Sequence, residues 1–173
     1  MGAPPDQIDA VIADLDLYTR REVVTLATNV NANLRENPPL GTPFDTGWAS
    51  ANWVPSIDEP FNGSGNLRDP TPIQVAARQK VSDAGLNSVL AWRNTDGPIF
   101  TTNNVPYIGA LNAGHSPQQS QPGFVQRAVE KAIKETYSAA SKKADRLRRS
   151  GAVAGGTVRS EAFNRARDRR NKG

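Results

Sequence analysis

The sequence predicts an α+β fold in which a small, mostly antiparallel sheet packs against a long N-terminal helix and a long C-terminal helix. Two segments, residues 6–36 and about 122–150, carry apolar residues at steps of three or four, which is typical of amphipathic helices. A shorter segment, residues 71–92, has a weaker pattern of the same kind. Between them lie short β-branched and aromatic runs bounded by turn residues, which are typical of strands.

Local signals set the ends of the predicted helices. The proline pair 38–39 ends the first helix, because proline cannot continue the hydrogen-bond ladder. Thr71 is a good N-cap and Pro72 suits the first helical position after it. The last helix is expected to begin near Pro122 and to stop at Gly151.

The strands and loops are less strongly marked. Residues 49–54 alternate apolar and polar side chains, which predicts a strand with one buried face. Residues 55–69 are rich in Pro, Gly and Asn and are interpreted as a mobile loop. Ile99 to Thr102 predicts a second strand, and an apolar turn at residues 107–111 follows it.

Charge is distributed unevenly along the 173 residues. From Lys142 onward there are eleven Lys or Arg against three acidic residues, a net charge of +8, so the preceding part carries −4 of the total of +4. We therefore expect one α+β domain over residues 1–150 and a basic C-terminal extension over residues 151–173. Without a partner, that extension would be disordered or a fraying helix.

Several chemistries are excluded or disfavoured by composition and motif. The chain has no cysteine, so disulfides and thiolate sites are excluded. Asp45-Thr46-Gly47 spells the aspartic-protease signature, but the second carboxylate that this chemistry needs has no matching motif in the chain. His115 is the only histidine and lies in no metal-binding or nucleophile-elbow motif. We therefore expect no enzyme activity, no metal and no cofactor, and no apolar run is long enough to imply a membrane.

Two groups of residues are candidates for contact with other molecules. Basic side chains in and before the extension could neutralise DNA phosphates or dock on an acidic protein surface, and charge runs of this kind favour protein contact. These are Arg148, Arg149, Arg159, Arg165, Arg167, Arg169 and Arg170. Apolar residues near the 107–111 turn either belong to the core or form a subunit interface, and the lone histidine fills a loop or bonds across such an interface. They are Tyr107, Ile108, Leu111, Phe124 and His115.

The chain resembles one protein family in two blocks whose order and spacing agree. The first block is DTG at residues 45–47 followed by ANW at 51–53. The second is TNNVPY at 102–107, GHS at 114–116 and GFV at 123–125. Both resemble the tail-component or tail-completion (neck) proteins of long-tailed bacteriophages.

This resemblance implies a function in assembly of the virion. Such a protein forms a homo-oligomeric ring, expected here to be a hexamer, that completes the tail and joins it to the head while leaving a channel for genomic DNA. Its partners would be copies of itself, adjoining neck proteins and the tail tube or tail terminator, and it would assemble in the host bacterial cytoplasm. The 99–116 segment would form one ring surface, received by the 57–70 loop or the N-terminal helix. The alternatives are another neck ring (head-tail adaptor, stopper or tail terminator) or a nucleic-acid-binding protein acting through its basic tail.

Overall fold

The computed structural model describes residues 5–116 and 122–149. In those ranges the chain forms five helices and two strands, and the predicted α+β class is confirmed. In chain order they are α1 (Pro5–Arg35), α2 (Trp48–Ala51), β1 (Val54–Ile57), α3 (Pro72–Ala91), β2 (Ile99–Thr102), α4 (Ile108–Asn112) and α5 (Phe124–Arg149). The long helices and β2 lie where the sequence predicts them.

The chain divides into two units after Thr136. The first unit contains α1 to α4, both strands and the first part of α5. The described part of the second unit is the remainder of α5, from Tyr137 to Arg149. The predicted extension, residues 151–173, lies outside the described residues, so the boundary near residue 150 stays a prediction.

The sheet is a two-stranded antiparallel ladder that pairs Val54 with Thr102 and Ile57 with Ile99. Helix α3 packs against β1, and Gly85 lies at this contact. A Cβ atom on Gly85 would overlap the carbonyl oxygen of Pro55. Glycine in a helix interior normally weakens the helix, and here its missing side chain permits the close approach of helix and strand.

The strand predicted at residues 49–54 is wrong over most of its length. Residues 48–51 form the short helix α2, and the strand begins at Val54. Trp48, Ala49 and Ala51 are all buried. Since the buried positions include both Trp48 and Ala49, the apparent period of two did not mark a single buried face. Small residues at 49 and 51 fit a helical turn enclosed by the rest of the unit as well as they fit a strand.

Helix α3 begins as its sequence predicts. The Thr71 hydroxyl accepts a hydrogen bond from the Gln74 backbone N–H, and the Gln74 side chain accepts one from the Thr71 backbone N–H. This reciprocal capping box satisfies two N–H groups that would otherwise lack partners. Pro72 occupies the first helical turn.

Trp53 joins three parts of the core. Its ring packs in a buried cluster with Leu34 of α1 and with Phe124 and Ala128 of α5. Its indole Nε1 donates to Thr42 Oγ1 over 2.7 Å, and its carbonyl oxygen accepts a 2.6 Å bond from Ser82 Oγ of α3. One residue therefore links α1, α3 and α5 through both apolar and polar contacts.

Polar side chains hold α1 against the first part of α5. Asn29 Nδ2 donates to Thr136 Oγ1 over 3.1 Å, and Asn33 Nδ2 donates to the Ala128 carbonyl over 3.3 Å. Between these two positions of α5, Lys131 forms a 2.5 Å ion pair with Glu36, the residue after the end of α1. The hydrogen bond from this ammonium to Glu36 is the main reason that the pKa of Lys131 is raised above 10.5. From the Asn29–Thr136 bond to the Asn33–Ala128 bond, residue numbers increase along α1 and decrease along α5, so the two helices are antiparallel here.

We predict that Gly85→Ala destabilises the protein by about 1–3 kcal/mol, because the added methyl group overpacks the contact between α3 and β1. Gly109→Ala is the matched control, since a Cβ at Gly109 of α4 meets no atom within 4 Å. This control is expected to be neutral or to stabilise by about 0.5–1 kcal/mol through helix propensity. Urea unfolding followed by circular dichroism measures both, and equal effects of the two variants would contradict the packing at Gly85.

Candidate functional site

A surface cleft of about 390 Å³ lies in the first unit, where the two blocks of the phage-like pattern meet. The DTG turn forms one wall, and the segment from α4 to the GHS turn forms the other. The lining residues are Pro43, Asp45, Thr46, Gly47, Trp48, Ala49, Arg68, Tyr107, Leu111, His115 and Ser116. The structure thus brings together residues 45–49 and 107–116, which are about sixty positions apart in sequence.

Two glycines shape the walls of this cleft. Gly47 has φ +81° and Gly114 has φ +91°, in the left-handed region that glycine adopts without steric cost. Thr46 lies between Asp45 and the start of α2, and its hydroxyl accepts a hydrogen bond from the Trp48 backbone N–H. Thr46 thereby provides a bond from side chain to backbone within the DTG turn.

Tyr107 is the cleft residue whose titration is most perturbed. Its side chain is 42% exposed, and burial of the rest raises the pKa of the phenol above its ordinary value of 10.0. The negative charge of Asp45 raises it further, because a carboxylate disfavours a nearby phenolate. Tyr107 therefore stays a neutral hydrogen-bonding group over the whole physiological pH range.

The cleft also contains Asp45, His115 and Ser116, the residue types of an acyl-transfer triad. A triad requires its histidine to be hydrogen-bonded to a carboxylate that orients it. The side chains of Asp45 and His115 do not form that bond. His115 is exposed, and its backbone N–H donates to the Ala110 carbonyl over 3.1 Å.

The other apolar candidates divide between core and surface. Phe124 is 0% exposed within the central cluster, so it takes the core alternative and offers no surface to a neighbouring subunit. Ile108 and Leu111 pack against the same cluster while remaining partly exposed. Leu111 also lines the cleft, and Tyr107 is the most exposed large apolar side chain of residues 107–111.

The loop predicted to be mobile is tied to the body of the unit by several bonds. Asn104 Nδ2 donates to the carbonyl oxygens of Phe61 and Gly63 over 2.8 and 3.0 Å. Trp48 Nε1 donates to the Gly65 carbonyl over 2.8 Å. The Arg78 guanidinium lies 5.4 Å from the ring centroids of both Trp48 and Phe61, within cation–π range.

Most of the basic candidates cannot be placed. Arg148 and Arg149 lie in the last turn of α5, and nothing is described of their side chains. Arg159, Arg165, Arg167, Arg169 and Arg170 lie outside the described residues. Their expected contacts with DNA or protein remain predictions.

The structure reveals one surface that the sequence reasoning missed. The apolar residues at the start of α1 follow the predicted helical spacing, and they are between 50% and 66% exposed. We call this surface the α1 stripe: Ile8, Val11, Ile12, Leu15 and Tyr18. Helical spacing places these side chains on one face. Residues 5–19 contain four Asp and no Lys or Arg, and this acidic composition was the sequence signal that this half of α1 faces water.

Comparisons with family models, with curated proteins and with solved structures give no match to this chain. Among residues 5–116 and 122–149, no cluster of three or more His, Asp or Glu is placed to hold a metal ion. None of the helices in those ranges combines the length and the apolar content that crossing a lipid bilayer requires.

We predict that Asp45→Asn lowers the pKa of Tyr107 but leaves it above 10.0. The substitution removes the nearby negative charge, whereas burial, the larger cause of the raised pKa, remains. Titration by ultraviolet difference spectroscopy, with Tyr107→Phe used to assign the signal, measures the shift. A titration unchanged by Asp45→Asn would contradict the proximity of the carboxylate and the phenol.

Proposed function

We propose that this protein is a structural subunit of the neck or tail of a long-tailed bacteriophage and acts as a homo-oligomeric ring. The ring, of six subunits by the resemblance, completes the tail, joins it to the head and leaves a channel for genomic DNA. The observation that carries this proposal is the exposed α1 stripe. It gives the protein an apolar surface that needs another chain to cover it.

The size of the stripe favours its being covered by another surface. Fully burying one large apolar side chain contributes about 1.5–3 kcal/mol. The stripe has five such residues at about half exposure, so covering it contributes several kcal/mol before the entropic cost of association. This gain is of the same order as the cost of association, so the stripe would contribute to assembly together with the other contacts of a ring.

Two distinct surfaces are the requirement for a closed ring. A ring of identical subunits repeats a heterologous contact, so each chain must present one surface and receive another. The α1 stripe is apolar and flanked by Asp, whereas the cleft is lined by polar and aromatic groups including Arg68, Tyr107 and His115. These surfaces differ in chemistry, which supports a head-to-tail contact over a symmetric one.

The family resemblance also supports a role of the cleft in contacts with other chains. Its DTG block and its GHS block are far apart in sequence and line one cleft, together with the half-exposed Tyr107. Side chains that serve only the core would be buried, as Phe124 is. We therefore assign the cleft side of the unit to contacts with neighbouring subunits or adjoining neck proteins.

Two measurements test the proposal directly. The native mass should be a multiple of the 18.6 kDa subunit, about 112 kDa for six copies. Labelled antibodies against the protein should bind assembled phage particles at the junction of head and tail. A monomer that is absent from particles would overturn the proposal, and a position elsewhere in the neck would favour an adaptor, stopper or tail terminator.

We predict that Leu15→Asp weakens self-association about 10- to 100-fold, because a charge replaces one of the apolar groups to be covered. Leu17→Asp is the matched control. Leu17 is 44% exposed and lies about 160° around the helix from Leu15, so it carries the same change of charge on the opposite face. Analytical ultracentrifugation measures both variants, and equal weakening would show that the stripe is not the surface that associates.

A further inference from the structure

We propose that the α1 stripe of one copy docks in an apolar groove beside the start of α3 in a neighbouring copy. The inference deepens the proposed function, and it rests on that function only for the presence of a neighbour. Four observations support it: the shape of the groove, the apolar side chains at its rim, its distance from the stripe of the same chain, and the balance of charge.

The receiving surface is an open groove of about 470 Å³ between the DTG turn and the first turns of α3. We call it the α3 groove: Thr46, Pro70, Pro72, Val75, Ala76 and Gln79. Its volume lies within the range of ligand pockets, about 300–1,000 Å³. An amphipathic helix fills such a groove with apolar side chains at positions i, i+3, i+4 and i+7. Residues 8, 11, 12 and 15 of the α1 stripe have this spacing.

Two exposed apolar side chains lie at the rim of the α3 groove. Ile73 follows Pro72 and is 82% exposed, more than any residue of the stripe. Phe44 is 52% exposed, and its ring lies beside Gly47, as the Val75 side chain does. Docking would cover these two residues and the five of the stripe, which together expose about 250–500 Å² of apolar surface. This is roughly half of the apolar area in a small stable interface, so the contact would act together with others in a ring.

One chain cannot place its stripe in its own α3 groove. Helix α1 contacts the α3 segment at two points, where Arg35 pairs with Asp83 and where Arg20 Nε donates to the Trp92 carbonyl. The groove lies at the start of α3, on the far side of the Arg35 contact, whereas the stripe precedes Arg20. At 1.5 Å per residue, Leu15 is about 30 Å from Arg35 along α1. The partner of the stripe is therefore another copy, and a contact between two different surfaces is the heterologous kind that a ring repeats.

The two segments carry opposite charge. Residues 5–19 contain four Asp and no Lys or Arg, a net charge of −4. Residues 68–80 supply five of the six groove residues and contain three basic residues against Asp69, a net charge of +2. Asp45, next to Thr46, lowers this local charge to +1. Opposite charges around an apolar contact favour that pairing and oppose wrong partners.

Charged side chains lie at the edges of both surfaces. At about 100° per residue, Asp9 and Asp16 fall on one flank of the stripe and Asp14 falls on the other. Lys80 follows Ala76 of the groove by one helical turn and is exposed. Among the described residues, Lys80 has no ion-pair partner, so its charge is available to the Asp side chains of the stripe.

Other partners for the stripe fit less well. A second α1 stripe would bring two segments of −4 together, and like charges at close range oppose association. Nucleic acid carries negative phosphates and is repelled by the same Asp residues. The α3 groove combines an apolar surface with positive charge.

Disulfide trapping between full chains tests this docking, because the sequence has no cysteine to interfere. Leu15→Cys protein is mixed with Ala76→Cys protein, and one of them carries a tag so that the mixed dimer is recognised by its mass. In one control, Leu17→Cys replaces Leu15→Cys and places the thiol on the opposite face of α1. In the other, Ala84→Cys replaces Ala76→Cys, because Ala84 is an exposed alanine of α3 outside the groove.

We expect the mixed disulfide of the test pair to form at least about fivefold more than that of either control under mild oxidation, since only close Cβ atoms can be bridged. Equal cross-linking of the test and control pairs, or none with the test pair, would overturn the docking. Leu15→Cys protein that cross-links to itself more than to Ala76→Cys protein would also overturn it, because that result indicates pairing between two stripes.

Charge reversal provides the second measurement. Lys80→Glu should weaken self-association about 3- to 10-fold, because it places a negative charge beside the Asp residues of the docked stripe. Lys134→Glu is the matched control, since Lys134 is an exposed lysine of α5 and the change of net charge is the same. Raising the salt concentration should reduce the difference between the two variants. Equal weakening in analytical ultracentrifugation would overturn the placement of the stripe at this groove.

The same proteins separate this inference from the proposed function. A ring-sized native mass without the preferential cross-link would leave the ring standing and overturn the docking. A preferential cross-link in a protein whose native mass is that of two subunits would support the docking, as a reciprocal exchange between two copies, and overturn the ring.

Discussion

The fold depends on Trp53, because this residue is bonded to three elements at once. Its ring fills the cluster between Leu34 of α1 and Phe124 of α5, and its carbonyl oxygen accepts from Ser82 of α3. The indole N–H has its own buried acceptor, the Thr42 hydroxyl. Since buried polar groups are costly when unpaired, these bonds fix the relative positions of the helices more narrowly than apolar packing alone would. The small sheet adds little area and is held in place by the same centre.

The position of the core cluster around Trp53 explains why part of α1 is exposed. A helix of 31 residues is about 46 Å long, and its contacts with the core cluster lie near its C-terminal end, at Val30 and Leu34. Farther toward the N-terminus, two hydrogen bonds join α1 to the end of α3 and the loop after it: Arg20 Nε donates to the Trp92 carbonyl, and the Asp16 carbonyl accepts from Asn94 Nδ2. The helix is thereby fixed in direction while its apolar stripe stays uncovered.

Sequence patterns predicted the parts of the fold in which local residue preferences favour the same secondary structure that the tertiary packing imposes. The capping box at Thr71 and the β-branched run at Ile99 are such cases. The prediction of a strand at residues 49–54 failed because periodicity over six residues cannot separate a strand from an enclosed helical turn. The α1 stripe was missed for a related reason: helical spacing identifies an apolar face but not the molecule that covers it. The meeting of the DTG and GHS turns needed the tertiary fold, which brings them together across about sixty residues.

Much of the phage-like pattern serves the fold itself. Asn103 Nδ2 donates to the Ala49 carbonyl, and Asn104 ties the 61–63 loop to the end of β2. Side-chain amides are suited to this because their N–H groups can donate to backbone carbonyls outside the sheet, here in α2 and in the 61–63 loop. The same turns set Tyr107 and His115 at the cleft, so one set of residues both builds the unit and shapes its surface. Any change that moves these turns therefore changes both the stability of the unit and the surface that it presents.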